Sequence, residues 1–200
     1  MKLNEYYLLL RSDLYRYAGK SGFSSFVYNI IFEPGFKYSF WMRTCAYLKL
    51  HPVFQFLLFP FAWLILRHYE YKFGISISYR TQIGSGLCIG HFGGIIVNQH
   101  AVIGKNCNIS HQVTLGVANR GVRKGYPVIG DNVYIGPGVK VIGNIRIGNK
   151  VAIGANCVVT KDVPDNGVVV GIPGKVISFE GSTGYVNKTD YDSGNIKSGL

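Results

Sequence analysis

Residues 128–159 read VIGDNVYIGPGVKVIGNIRIGNKVAIGANCVV. Within this stretch an aliphatic residue returns at every sixth position, and glycine often follows it. The positions are Ile129, Ile135, Val141, Ile147, Ile153 and Val159. A helix repeats near 3.6 residues and a plain strand every 2, so a period of six fits neither. It fits short strands joined by tight turns, with one inward aliphatic residue on each side of a prism, and predicts a parallel β-helix.

The same spacing extends upstream to about residue 75. It places aliphatic residues at Ile77, Ile83, Ile89, Val97, Ile103, Ile109 and Leu115. Three such positions make one coil, so the pattern predicts a mainly β fold with about four coils. A twelve-residue loop, 116–127 (GVANRGVRKGYP), interrupts the spacing. Insertions in a solenoid cluster at one edge and often bind ligands. The substrate-contact candidates in this loop are Arg120, Arg123, Lys124 and Tyr126.

Composition and charge limit the partners. The chain has 200 residues and a formal net charge of +11. Such an excess favours a polyanionic partner, such as an acidic lipid surface, a phosphorylated cofactor or an acidic glycan, and plain solubility is the simpler alternative. Nucleic acid is not expected because no nucleic-acid-binding motif is present. The four cysteines show no paired spacing, so buried free thiols in a reducing compartment are expected.

The first 74 residues lack the six-residue spacing and predict helices over residues 4–18, 36–50 and 53–66. The last of these (VFQFLLFPFAWLIL) is too short to span a bilayer. Burial over the first coil is the favoured interpretation, and peripheral contact with a membrane is the alternative, because Lys49 and Arg67 flank the segment. No signal peptide is recognised, so the protein is predicted to be cytoplasmic. In the alternative, it is peripheral on the inner membrane face. The predicted domains are residues 1–74 (helical), 75–178 (β-helix) and 179–200 (flexible tail).

Two histidines occupy equivalent positions in successive coils. His91 and His111 each lie two residues after an aliphatic position, Ile89 and Ile109. They are expected on the same face, about 4.8 Å apart, which is the spacing of neighbouring strands. Histidine suits general-base chemistry because its pKa lies near neutral pH. His91 is the predicted base, and His111 either assists or only stacks between coils.

Several segments resemble the serine O-acetyltransferases, a family of hexapeptide-repeat acyltransferases. They are residues 90–98 (GHFGGIIVN), 113–116 (VTLG), 142–145 (IGNI) and 171–175 (GIPGK). The resemblance covers about residues 34–178. It implies a left-handed β-helix, a homotrimer, acetyl-CoA as donor, a hydroxyl acceptor and no metal. It also implies that Gly116, Pro137 and Ala155 line the coenzyme A groove. Lys161 and Lys175, near the last coil, are candidates to meet its phosphates, and ordinary solvated lysines are the alternative at both positions.

The chain departs from this family at three acceptor-binding places. Ser76 and Gly90 stand where the serine enzymes have aspartates, and Gly125-Tyr126 stands where they have Arg-His. An amino-acid acceptor needs partners for its ammonium and carboxylate groups. The favoured prediction is therefore an O-acetyltransferase of exopolysaccharide or capsule pathways, with a sugar or glycan hydroxyl as acceptor. The alternative is a serine O-acetyltransferase of cysteine biosynthesis. Since Ser76 has no charge, a backbone carbonyl is expected to orient His91.

Two further interpretations remain at this stage. Some β-helix enzymes use three histidines to hold a metal across a subunit interface, and His91, His100 and His111 are the available set. The third of these, His100, falls in a different register, which counts against a metal site. The other interpretation is a scaffold without catalysis that rests on a membrane through its aromatic N-terminal region.

Overall fold

The structure is a computed structural model that describes residues 1–192. Helices come first and short strands follow. The helices are α1 (Leu3–Ala18), α2 (Phe23–Phe32), α3 (Pro34–Lys49), α4 (Pro52–Leu57) and α5 (Phe59–Phe73). The strands are β1 (Ile75–Ile77), β2 (Gln82–Ile83), β3 (Cys88–Ile89), β4 (Ile95–Val97), β5 (Val102–Ile103), β6 (Asn108–Ile109), β7 (Thr114–Gly116), β8 (Val128–Ile129), β9 (Tyr134–Ile135), β10 (Lys140–Ile142), β11 (Arg146–Ile147), β12 (Ala152–Ile153), β13 (Val158–Val159), β14 (Val168–Val170) and β15 (Lys175–Ser178).

The strands form three sheets in which each strand pairs with the strand one coil away. Sheet A has the order β1-β4-β7-β10-β13, sheet B β2-β5-β8-β11, and sheet C β3-β6-β9-β12-β14-β15. All neighbours are parallel except β14 and β15. The predicted parallel β-helix is confirmed, with about five turns where the spacing counts about four. The difference arises because β14 and the bridge between Ile147 and Val163 lie beyond the last six-residue interval.

The spaced aliphatic residues fill the interior of the β-helix. From Ile103 to Ile153 each of them is at most 1% exposed. Burial of this apolar surface is the main stabilising contribution to the domain. The turns between sheets B and C use residues that tolerate a left-handed backbone, such as Asn106 and Asn132 with φ of 56° and 57°. The alternation of aliphatic and turn residues along the sequence thus determines where each strand and each turn of a coil lies.

The cysteines are free thiols in the described part of the chain, and Cys45, Cys107 and Cys157 are buried. Cys107 occupies an inward position that Val133 fills in the next coil. Burial raises the pKa of the Cys107 thiol to about 12. These side chains therefore act as small apolar core residues.

The helical region is joined to the first coil by buried polar contacts. The Tyr38 hydroxyl donates to the Ile77 carbonyl at 3.0 Å. Arg43, on α3, donates to Asp13 of α1 at 3.1 Å and to the Ile83 carbonyl at 2.7 Å. Both members of this ion pair are buried. The contacts fix the helices against the end of the β-helix near β3.

The favoured prediction of a buried helix over residues 53–66 is wrong. The segment forms two helices, because the chain is interrupted at Leu58 and Pro60 lies in the first turn of α5. Helix α4 has no buried residue, and only Ala62 and Leu66 are buried between residues 53 and 66. The other apolar side chains of the segment, such as Phe56 and Phe61, lie at the surface. Within residues 1–192, no helix is long and apolar enough to cross a membrane.

Part of the segment expected to be flexible packs on the β-helix. The Ser182 hydroxyl donates to the Asn132 carbonyl at 2.6 Å, and the Tyr185 ring stacks on Tyr134 with centroids 4.6 Å apart. Tyr191 is buried in the middle of a short 3-10 turn, Asp190–Asp192. Residues 193–200 of that segment lie outside the described residues.

Candidate active site

One corner of the β-helix carries both histidines. It follows sheet C, where Ile89, Ile109, Ile135 and Ile153 are opposite one another in successive coils. Two residues further along the chain, the same register stacks His91, His111, Pro137 and Ala155 in one column. The rings of His91 and His111 have centroids 5.9 Å apart and an interplanar angle of 76°. The predicted stacking of the two histidines is therefore present.

His91 is accessible at the end of this column. It is exposed, and the exposed Phe92 beside it contacts Phe73 of α5 with ring centroids 5.6 Å apart. Within residues 1–192 neither ring nitrogen of His91 has a hydrogen-bond partner, so the expected backbone carbonyl does not orient it. The side chain is free to meet a ligand or a group from another copy of the chain.

Sheet A separates this corner from a second edge, where the inserted loop emerges. Strands β4 and β7 are three residues long, so the two edges are about 10 Å apart or more. Gly116 lies at this second edge against the Ile142 side chain, and Lys161 follows β13 there. Within one chain, the structure does not bring Gly116, Lys161 or the loop to His91. Pro137, Ala155 and Lys175 are on the histidine side, Lys175 being opposite Val170 at the end of sheet C.

The loop 116–127 is folded back on the β-helix. Ala118 and Gly125 form an antiparallel bridge, and Arg123 donates to the Asp162 carboxylate at 3.1 Å. The Tyr126 ring contacts His100 with centroids 4.8 Å apart. Arg120 and Lys124 are exposed. Arg123 is thus engaged in holding the loop, while Arg120 and Lys124 are available to a ligand.

Replacing Asp162 by alanine should loosen this loop. An exposed ion pair is worth about 1 kcal/mol at most, so we expect trypsin to cut after Arg120 and Lys124 about fivefold faster. Hydrogen bonding to the Arg146 N–H, and then Arg123, lowers the pKa of Asp162. The anchoring is therefore present above the ordinary aspartate pKa and is lost as the pH falls through the lowered value.

The matched control is Asp165→Ala, which removes a similar carboxylate that accepts from the Asn149 N–H at 2.8 Å and does not touch the loop. Limited proteolysis followed by mass spectrometry measures both variants. Equal cleavage of Asp162→Ala and wild type would mean that the ion pair does not hold the loop.

A polar pocket of about 460 Å³ lies between α1, α2 and the start of α3. It is lined by Tyr17, Ala18, Lys20, Ser24, Ser25, Tyr28, Asn29 and Glu33. Ser25 is buried, and its hydroxyl has no hydrogen-bond partner. The pocket therefore brings the Glu33 carboxylate and the Lys20 ammonium group together, and the Ser25 hydroxyl lies buried in its wall.

Two contacts connect this pocket to the histidine corner. The Tyr17 hydroxyl accepts from the Ile89 N–H at 2.8 Å, and a Cβ on Gly35 would lie 2.2 Å from the Ile89 carbonyl oxygen. Only glycine permits this close approach of α3 to the strand. His91 follows Ile89 by two residues and is not among the residues that line the pocket. Tyr17 is the residue that belongs both to the pocket and to the contacts with the strand before His91.

Sequence reasoning missed the residues of this pocket. Lys20 and Glu33 lie outside the six-residue spacing, and only the packing of α1, α2 and α3 brings them together. Lys140 is a second omission, because its ammonium group donates to the carbonyl of Gln112, next to His111. A signal for Lys140 exists in the register, since it is opposite Thr114 on the outer face of sheet A.

The three histidines considered for a metal site do not converge. His100 lies at the loop edge against Tyr126, across sheet A from His91 and His111. In residues 1–192 no group of three or more histidine, cysteine, aspartate or glutamate side chains has the geometry to hold a metal ion.

The six-residue spacing and the parallel β-helix define a hexapeptide-repeat protein. A family model described as bacterial transferase hexapeptide (six repeats) matches residues 126–161. A serine acetyltransferase from Synechococcus elongatus is 43% identical over 108 residues, which are 54% of this chain and 44% of that protein. The chain spans about half the length of the curated relatives it matches, with 51% of a Staphylococcus aureus serine acetyltransferase covered.

Solved structures extend the likeness over most of the chain. A serine acetyltransferase from Brucella abortus in complex with coenzyme A has a TM-score of 0.73 at 30% identity, with 88% of this chain and 69% of that one covered. A Neisseria gonorrhoeae serine acetyltransferase in complex with serine has a TM-score of 0.72 at 29% identity, with 88% and 70% covered. The chain belongs to the serine acetyltransferase family. These relatives give no support to the exopolysaccharide and capsule subgroup.

Proposed function

We propose that this protein transfers the acetyl group of acetyl-CoA to the hydroxyl group of L-serine, with His91 as general base. The observation that carries the proposal is the exposed His91, whose ring meets that of His111 edge to face one coil away, in a chain of the serine acetyltransferase family. The free thiols suit a reducing compartment, so we place the reaction in the cytoplasm.

The chemistry assigned to His91 follows from its exposure and from the ability of an imidazole nitrogen to accept a proton. A hydroxyl group is a weak nucleophile, so a base must remove its proton as its oxygen attacks the thioester carbonyl carbon. The neutral imidazole takes that proton, the carbon–sulfur bond breaks, and the proton is returned to the coenzyme A thiolate. His111, one coil away, is proposed to orient the acceptor or the His91 ring.

The donor is proposed to lie along the histidine column. Pro137 and Ala155 continue the column above His111, and small side chains there leave room for a narrow ligand. From His91 to the end of sheet C the strands extend about 24 Å at the usual strand spacing. Lys175, exposed near that end, is proposed to meet a phosphate group. Gly116 and Lys161, at the other edge of sheet A, would contribute from a neighbouring copy.

The same separation supports a trimer with sites shared between copies. The loop 116–127 and His91 lie at opposite edges of sheet A, so one chain cannot close its own loop over its own histidine. In a cyclic trimer of prisms, the loop edge of one copy faces the histidine edge of the next. Arg120 and Lys124 would then face the donor or acceptor bound to the neighbour.

The acceptor is proposed to bind in the pocket lined by Lys20, Ser25 and Glu33. The charged partners that the resemblance implies for the ammonium and carboxylate groups of serine are missing from this chain. Their positions are occupied by Ser76, Gly90 and the Gly125-Tyr126 pair. Glu33 and Lys20 offer replacements, since a carboxylate can bind the ammonium group of serine and an ammonium group its carboxylate. This arrangement supports serine as the acceptor.

A sugar hydroxyl is the second candidate, favoured by the neutral residues at Ser76 and Gly90 and by the hydroxyl and amide groups of the pocket. Ser24, Tyr28 and Asn29 could each bond to a sugar ring. The two candidates differ in charge, so a single assay separates them.

The test measures thiol release from acetyl-CoA with L-serine and with a panel of sugars, nucleotide sugars and oligosaccharides. We expect release with serine, and a KM for serine about tenfold higher in Glu33→Gln with kcat little changed, because one charged contact to the bound substrate is lost. The matched control is Glu180→Gln, an exposed carboxylate after β15, which should behave as wild type.

Each outcome decides between the candidates. Release with a sugar but not with serine would replace serine by the sugar hydroxyl as acceptor. Release with neither class would overturn acetyl transfer itself. An unchanged KM in Glu33→Gln would remove the pocket from the acceptor site.

A further inference from the structure

Helices α4 and α5 present a large uncovered apolar surface. We define it as the α4–α5 face, formed by Leu50, Val53, Phe54, Phe56, Leu57, Leu58, Phe61, Trp63 and Leu64. Every one of these side chains is exposed, from 38% at Phe54 to 79% at Phe56. Single exposed apolar residues are ordinary, but a contiguous apolar patch marks a surface that binds something.

Cations and aromatic rings border the α4–α5 face. The Lys49 ammonium group lies 5.0 Å from the centroid of the Phe59 ring, and the Arg67 guanidinium group lies 4.8 Å from that of Tyr71. Lys72 is exposed on the last turn of α5. From Pro52 to Phe73 the sequence has one acidic residue, Glu70, and this residue is paired with Arg67 at 2.6 Å. The border is therefore positively charged.

We propose that the α4–α5 face docks on the surface of an anionic lipid bilayer. The apolar side chains would enter the boundary between headgroups and acyl chains, and Trp63 would lie at that boundary. Lys49 and Lys72 would contact the anionic headgroups, which attract cations within about a Debye length. This binding is separate from acetyl transfer and does not depend on the identity of the acceptor.

Charge complementarity selects the lipid surface over a second copy of the chain. Two copies that met through this face would bring the same cations together, and the face supplies no free carboxylate to pair with them. The net charge of +11 opposes such an encounter further. An anionic bilayer can bury the apolar side chains of the α4–α5 face and can pair its anionic headgroups with the cations at the border.

Sedimentation of the full chain with vesicles tests the proposal. Vesicles of phosphatidylcholine alone are compared with vesicles that also contain phosphatidylglycerol. We expect binding to the anionic vesicles that weakens with added salt. The double substitution Phe56→Ser and Phe61→Ser should lower it by about tenfold or more, because two exposed aromatic anchors are lost. The double substitution Lys49→Gln and Lys72→Gln should lower binding to the vesicles that contain phosphatidylglycerol and leave any binding to pure phosphatidylcholine vesicles unchanged.

The matched control is Ile177→Ser with Phe179→Ser, two similarly exposed apolar residues at the far end of the chain. It should bind as wild type does, and all variants should keep the wild-type thermal transition. Absence of binding to anionic vesicles would overturn the proposal, as would binding that the Phe56 and Phe61 substitutions leave unchanged. Self-association in light scattering that these substitutions abolish, without vesicle binding, would assign the face to a contact between copies.

Discussion

His91→Ala should lose acetyl transfer by about 10²- to 10⁴-fold, the usual contribution of a positioned general base. The protein should remain folded, because His91 is exposed and its ring makes no hydrogen bond within residues 1–192. Loss of the base lowers kcat more than it raises KM, since proton removal belongs to the transition state. Thiol release from acetyl-CoA and a thermal melt measure the two properties.

Two companion variants make this result specific. His111→Ala should reduce the rate less than His91→Ala if His111 orients rather than abstracts the proton. His68→Gln replaces an exposed histidine on α5, away from the corner, and should behave as wild type. A His91→Ala protein that retains most of its rate would show that another group is the base.

Arg43→Ala should destabilise the fold by about 3–5 kcal/mol, the usual cost of removing one partner of a buried ion pair. Asp13 would keep a buried carboxylate with only backbone donors, such as the Leu87 N–H at 2.8 Å. The carbonyls of Ile83 and Gly84 would lose a charged donor at 2.7 and 2.6 Å. The joint between α1, α3 and the first coil depends on all of these contacts. Urea unfolding measures the loss.

The pH dependence of this loss has a definite sign. Burial already raises the pKa of Asp13, and removal of Arg43 should raise it further. A carboxyl group whose pKa is raised on folding is penalised while it is charged, and the penalty disappears as the pH falls below the raised pKa. The difference in stability between Arg43→Ala and wild type should therefore shrink at lower pH.

An exposed ion pair provides the comparison. Arg123→Ala removes the partner of Asp162, and both side chains of that pair are well exposed to water. Its loss should cost about 1 kcal/mol or less. If Arg43→Ala cost no more than Arg123→Ala, the buried pair would not hold the helices to the β-helix.

The residues that would bind the acceptor could not be predicted from sequence motifs. From Ser76 and Gly90 the sequence predicts that serine's charges have no partners, and it favours a sugar. That inference assumes that the partners come from the same positions as in the resembling family. The pocket brings Lys20 and Glu33 together with Tyr17, whose hydroxyl contacts Ile89, although all three lie far from Ser76 and Gly90 in sequence. Binding groups can come from any element that packs against a site.

The sequence by itself determined the β-helix, its stacked histidines and the extruded loop. A six-residue spacing converts directly into coil geometry, because each aliphatic residue has one inward place and each histidine follows at a fixed offset. Tertiary structure alone decided three other properties: the pocket between α1, α2 and α3, the separation of the loop from the histidines by sheet A, and the exposure of most apolar side chains in residues 53–64. All three properties depend on how the elements pack against one another. The sequence of an apolar segment does not show whether a neighbouring element covers it.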